Sequence, residues 1–128
     1  MAGYSGTPLP QKLGIKEASR VRLFGAPDGF ARVLGVDARP RGEADVIVLF
    51  TKSAAVLRRD FVRARKSLHS AGGLWVAWPK KSSGVATDLG ENEIRTIGLA
   101  AGLVDNKVCA IDEIWSGLRF VYRVADRP

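Results

Sequence analysis

Val46-Ile47-Val48-Leu49-Phe50 and Leu74-Trp75-Val76-Ala77-Trp78 are the two runs that decide the fold. Each is apolar at every position, so a strand made from either buries side chains on both faces. An interior strand, covered on two sides, meets that condition. Between the runs, Ser53 stands where a helix needs an N-cap. Leu57, Phe61, Ala64 and Leu68 follow at helical spacing and share one stripe. Gly72-Gly73 reads as the stop of that helix, just after His69, and Pro79 closes the second strand. Strand, helix, strand in this order dictates parallel pairing through a right-handed crossover. The two runs are therefore expected to be adjacent, parallel and central.

Working outward, Arg20 to Phe24 reads as a first short strand. Gly25-Ala26-Pro27-Asp28-Gly29 is a turn built from residues that break regular structure. A short helix is expected over Gly29 to Leu34, a weaker strand over Val36 to Arg39, and a loop through Pro40 and Gly42. Beyond Pro79, Lys80 to Thr87 is a loop. Asp88 with Glu91 three residues on forms a capping-box pattern, opening a helix that turns Ile94, Ile97 and Ala101 inward. Val104 to Asp112 and Leu118 to Val124 close the chain as a hairpin, joined through Trp115 and Ser116. In the last strand Leu118, Phe120, Tyr122 and Val124 share one face and Arg119 and Arg123 the other, which suggests a face without helical cover. Residues 1–12, with Gly3, Gly6, Pro8 and Pro10, read as an extended N-terminal arm with one helical turn near Leu9 to Leu13, pinned by Tyr4 and Leu9. A chain of 128 residues suits a single α/β domain over residues 1–128. Its sheet is mostly parallel and twisted, with one antiparallel strand, in a three-layer Rossmann-like sandwich.

The single cysteine, Cys109, excludes an internal disulfide, and with one histidine, His69, it cannot build a Cys/His zinc site. No metal is expected, and Cys109 reads as a small core residue. No apolar run approaches the roughly 18 residues that span a membrane, and the start lacks the layout of a secretory signal, so a cytoplasmic protein is expected. The formal net charge of +7 suits anionic ligands, acidic partners or nucleic acid. Arg58, Arg59, Arg63, Arg65 and Lys66 face Asp60 alone on the helix after Ser53. Of these Arg59, Arg63 and Lys66 follow one stripe, the residues a nucleic acid would meet. No helix-turn-helix, zinc finger or aromatic RNA-binding motif accompanies them, and such a run is more often a solvated face.

From Ala44 to Val124 the chain resembles the second half of a class I methyltransferase, through Asp45 to Phe50, Ser53 to His69, Gly72-Gly73, Leu74 to Trp78, Glu91 to Ala101, Gly102-Leu103 and the closing pair. With the six expected strands numbered along the chain, the resemblance implies the order 2-1-3-4-6-5, the last strand antiparallel. The chain also resembles an uncharacterised bacterial family of unknown function. That likeness is carried by Gly3-Tyr4-Ser5-Gly6-Thr7-Pro8-Leu9, by Gly25 to Phe30, by Trp75 to Leu89 with its Trp78-Pro79-Lys80-Lys81 core, and by Leu103 to Glu113. It brings no activity with it. In methyltransferases the first strand carries an acid two positions before a glycine-rich turn, and the second ends in an acid for the ribose hydroxyls. Here Leu23 occupies the first place, and only Asp37 stands near the second. No cofactor is therefore expected, adenosylmethionine included.

Ligands of open α/β sheets sit beyond the carboxyl ends of the strands. That rule collects Gly25, Pro27, Asp28 and Gly29; Thr51, Lys52 and Ser53; Trp78, Pro79, Lys80, Lys81, Ser82 and Ser83; and Asp112, Glu113, Trp115 and Ser116. Helix N-termini at the same edge attract anions. The Pro79 to Ser83 loop is expected to form an anion-binding rim opposite Gly25 to Gly29. His69 falls at the other edge, so a triad with Ser82 or Ser83 is not expected, and no catalytic residue is identified. Three readings stay open: a non-catalytic or cryptic binder of a small anionic ligand, a methyltransferase-like enzyme on an anionic or nucleotide-like substrate, and a nucleic-acid or protein-partner module built on the basic helix.

Overall fold

The computed structural model describes residues 6–127. Five strands form one sheet: β1 (Val21–Phe24), β2 (Ala44–Phe50), β3 (Leu68–Pro79), β4 (Val104–Ala110) and β5 (Trp115–Val121), in the order β1-β2-β3-β5-β4. β1, β2 and β3 pair in parallel, and β5 runs antiparallel to both β3 and β4. The expected neighbours are in place: Ile47 pairs with Leu74 and Phe50 with Ala77, and neither strand lies at an edge.

The fully apolar runs divide their side chains by period 2. Ile47, Leu49, Leu74, Val76 and Trp78 join Leu118 and Phe120 beneath two helices, α3 (Ala54–Lys66) and α4 (Glu91–Ala100). Val46, Val48, Phe50, Trp75 and Ala77 point the other way. There they meet Leu13 and the short helix α2 (Phe30–Leu34), with the one-turn helix α1 (Leu9–Lys12) alongside. The two clusters make the three layers. Leu9 packs as expected of the arm, while Tyr4 lies outside the described residues.

Four expectations need correction. Val36 to Arg39 forms no strand, and its one backbone bond to the sheet runs from Arg39 N–H to Val21 O at 2.7 Å. With α2 only five residues long, the chain has no room to return as a parallel strand, so β1 is the edge. The helix after Ser53 ends at Lys66, and β3 begins at Leu68. Gly72 and Gly73 lie inside that strand, where β2 approaches so closely that a Cβ at Gly72 would stand 2.5 Å from Asp45 O. Trp115 and Ser116 belong to β5; the turn before them is held by Asp112, whose Oδ1 accepts from Ile114 and Trp115 N–H, each at 2.8 Å. Asp88 does not cap the helix that follows it. That helix starts from Gly90, and Asp88 Oδ1 instead accepts from Ala54 N–H at 2.9 Å, capping α3 from 34 residues away.

Candidate functional site

Two hollows open at the carboxyl edge. The first lies where β1 and β2 end. Gly25 leaves β1 with φ +63° and passes so near β2 that a Cβ there would stand 2.9 Å from Phe50 O. A side chain would be strained and obstructed, so glycine alone lets the two strand ends converge. Beside them Phe50 meets Phe30 and Trp115 edge to face, with centroids 4.8 and 5.0 Å apart. The resulting cleft, about 460 Å³, is lined by Gly25, Pro27, Phe50, Thr51, Lys52, Ser53, Val56 and Trp115. Its polar atoms are largely committed. Thr51 Oγ1 donates to Ser53 O at 3.1 Å, and Ser53 Oγ accepts from Val56 N–H at 3.4 Å as the N-cap of α3. Lys52 is exposed at the rim.

The second hollow, about 890 Å³, opens where β3 ends and α4 begins. Lys80 and Lys81 line it, but so do Asp88, Glu91 and Glu93, together with Trp78, Pro79 and Ser116. The carboxylates outnumber the ammonium groups and leave no net positive rim. Ser83 is occupied, its Oγ donating to Lys80 O at 2.6 Å and accepting from Val85 N–H at 3.1 Å. Lys81 to Ser83 form a single 3-10 turn, and Ser82 lines neither hollow. A staple divides the two: Thr87 Oγ1 donates to Lys52 O at 2.5 Å, and Asp88 receives Ala54 N–H.

The candidates drawn from sequence thus separate. Gly25, Pro27, Thr51, Ser53 and Trp115 share the first hollow, while Trp78, Pro79, Lys80 and Lys81 share the second. The lysine loop faces α4, not Gly25 to Gly29. Asp28 and Gly29 form the turn into α2, and Asp112 holds the hairpin. The helix N-termini offer anions little. α3 spends its first N–H groups on Asp88 and Ser53, and α4 carries Glu91 and Glu93 in its first turn. Phe50 and Val56 complete the cleft without having been selected from sequence, although period-2 alternation places Phe50 on that side.

Elsewhere the basic stripe is partly spent. Asp60 accepts from Arg59 Nε at 3.0 Å and Arg63 at 3.5 Å, which holds the Arg59 proton more tightly than usual. Lys66 continues the stripe alone, and such exposed pairs add little stability. His69 sits at the amino edge, 3.3 Å from Glu43, far from Ser82 and Ser83. Burial pushes the Cys109 thiol up. Among the described residues no three metal-ligating side chains cluster, and no helix is long and apolar enough to cross a membrane.

No family model matches the chain, and no curated protein matches it in sequence. Solved structures do. Fibrillarin of Methanococcus jannaschii, a pre-rRNA processing protein, superposes with TM-score 0.57 at 14% identity over 94% of this chain and 70% of its own. LepI in complex with SAM gives 0.56 at 7% identity, over 90% of this chain and 39% of LepI. The ribosomal protein L11 methylase of Lactobacillus delbrueckii gives 0.51 at 16% identity, over 91% and 64%. At such identities the likeness shows the fold, which is methyltransferase-like as the resemblance implied. It also overturns the expectation of no cofactor, because this fold is one in which SAM has been observed bound. The likeness to an uncharacterised bacterial family is carried by the quoted residues alone. What is established is an open, mostly parallel, methyltransferase-like sheet.

Proposed function

We propose that this chain is a small methyltransferase-fold domain that binds adenosylmethionine, or a nucleoside ligand like it, in the cleft at the ends of β1 and β2. The observation that carries this reading is the cleft itself. It lies over the ends of β1 and β2 at the carboxyl edge of the sheet, where open α/β sheets bind ligands, and its walls are apolar and aromatic. A flat base suits Phe50, Trp115 and Pro27, and Lys52 stands at the rim for a carboxylate. The fit is incomplete at the ribose. Asp37, the one acid near the place of the ribose ligand, lines a separate hollow with Ala31, Arg32 and Gly35, and Leu23 stands where the first strand would carry its acid. The cleft lining offers the hydroxyls no carboxylate, so the affinity expected is modest.

When bound, adenosylmethionine supplies an electrophilic methyl group. The lining residues include no carboxylate, histidine or cysteine to take a proton from an acceptor, so their work is to hold and orient. Isothermal titration with adenosylmethionine and adenosylhomocysteine tests the reading. The expected dissociation constant lies between about 10 μM and 1 mM, and Lys52→Ala weakens it severalfold. Heat indistinguishable from dilution for both ligands rejects the assignment.

A further inference from the structure

A groove of about 290 Å³ runs between α3 and α4 on the solvent side of the helical layer. Leu57, Phe61 and Ala64 turn into the core from α3, and Ile94 and Gly98 do so from α4. The residues next around each helix line the groove: Val62 from α3, and Ile97, Ala100 and Ala101 from α4, above the buried ring of Phe61. Val62 is 41% exposed, and Ala100 is exposed as well. The charge around this apolar strip is one-sided. Arg58 lines the groove, and Arg65 follows two turns on along the same side of α3. No carboxylate lines it. The acids of α4 are engaged elsewhere. Glu91 Oε2 accepts from Arg95 at 2.6 Å, and Glu93 folds back on Gly90, where a Cβ would stand 2.7 Å from its Oε1. Asp60, on the other side of α3, is spent on Arg59 and Arg63. Among the described residues neither Arg58 nor Arg65 makes an ion pair, and Arg65 Nε is buried without a hydrogen-bond partner.

We propose that this groove docks an acidic amphipathic helix of a partner protein. The apolar stripe of such a helix seats on Val62, Ile97 and Ala100, and its flanking carboxylates meet Arg58 and Arg65 as charge-assisted pairs. Charge complementarity selects this occupant. A nucleic acid would seek the outward stripe of Arg59, Arg63 and Lys66, where Asp60 already answers two of the three, and it gains nothing from an apolar floor. A second copy that set α3 against α3 about a two-fold axis would bring like charges together. The groove shares no residue with the carboxyl-edge cleft, so the proposal stands apart from adenosylmethionine binding.

The test is fluorescence anisotropy with a labelled synthetic amphipathic helix of leucine and glutamate. Two controls accompany it, the same peptide with lysine for glutamate and one with serine for leucine. Saturable binding is expected for the first peptide alone. Arg58→Glu should weaken it by about tenfold, because an attractive pair becomes a repulsive one, and Ala100→Glu, which fills the groove with a carboxylate, by at least as much. Arg63→Glu, outside the groove, should change it by less than about twofold. All three residues are exposed, so the variants keep the fold. No saturable binding of the acidic peptide, equal binding of the lysine peptide, or binding indifferent to both groove variants overturns the proposal. So does tighter binding of a duplex DNA oligonucleotide that Arg58→Glu removes, or a dimer in sedimentation that Ala100→Glu disperses.

Discussion

The two hollows at the carboxyl edge are built from neighbouring loops and have opposite characters. One is apolar, walled by Phe50, Trp115 and Pro27, with a single lysine at its rim. The other is polar and sets Lys80 and Lys81 against Asp88, Glu91 and Glu93. Between them the Thr87 and Asp88 bonds hold the start of α3. The contrast teaches that a run of lysines beside a strand end makes an anion site only if the facing element brings no carboxylates. Here α4 does bring them, as Glu91 and Glu93, and the proposed ligand is therefore assigned to the quieter hollow.

Trp115→Ala should break the comparison most. Trp115 is 9% exposed and packs on Phe50; truncating it costs about 3–5 kcal/mol in urea unfolding and removes ligand binding from the first hollow. Asp88→Ala removes the staple and should cost about 1 kcal/mol, the usual worth of an N-cap. Amide exchange should then quicken at Ala54 and Val56, joining the hollows without unfolding the sheet. A smaller effect comes from acid, away from both hollows. The Arg20 guanidinium, at 2.9 Å, holds the Asp45 carboxyl at about 2, below its ordinary 3.8. A depressed carboxylate contributes stability above its unfolded value, and that contribution fades as pH falls toward about 2. Thermal melts of Asp45→Asn should therefore lie below wild type at pH 7 and converge with it in strong acid. Smallest of all, Lys80→Ala with Lys81→Ala should change stability by no more than about 0.5 kcal/mol and leave adenosylmethionine binding unaltered.

Much of this fold was legible because both-face burial leaves a clear trace: Val46 to Phe50 and Leu74 to Trp78 allow no other role than interior strands. The glycines were less informative. Gly72-Gly73 has the wording of a helix stop, yet β2 and Arg119 press on those residues from across the sheet, and local pattern carries no record of such contacts. Asp88 misleads for the same reason, since a cap reads as local while its acceptor serves a helix 34 residues upstream. Sequence placed Gly25, Thr51, Ser53, Trp78, Lys80 and Trp115 at the carboxyl edge, where they line two hollows. It could not say which of them share a hollow, because that depends on how the loops fold back over α3.

The most direct test is an NMR titration of the labelled protein with adenosylmethionine, reading both hollows at once. The account predicts saturable shifts at Gly25, Thr51, Ser53, Val56 and the Trp115 indole, with Lys80, Lys81, Asn92 and Glu93 unmoved. Shifts confined to Lys80 through Glu93, or none at either hollow, would contradict it.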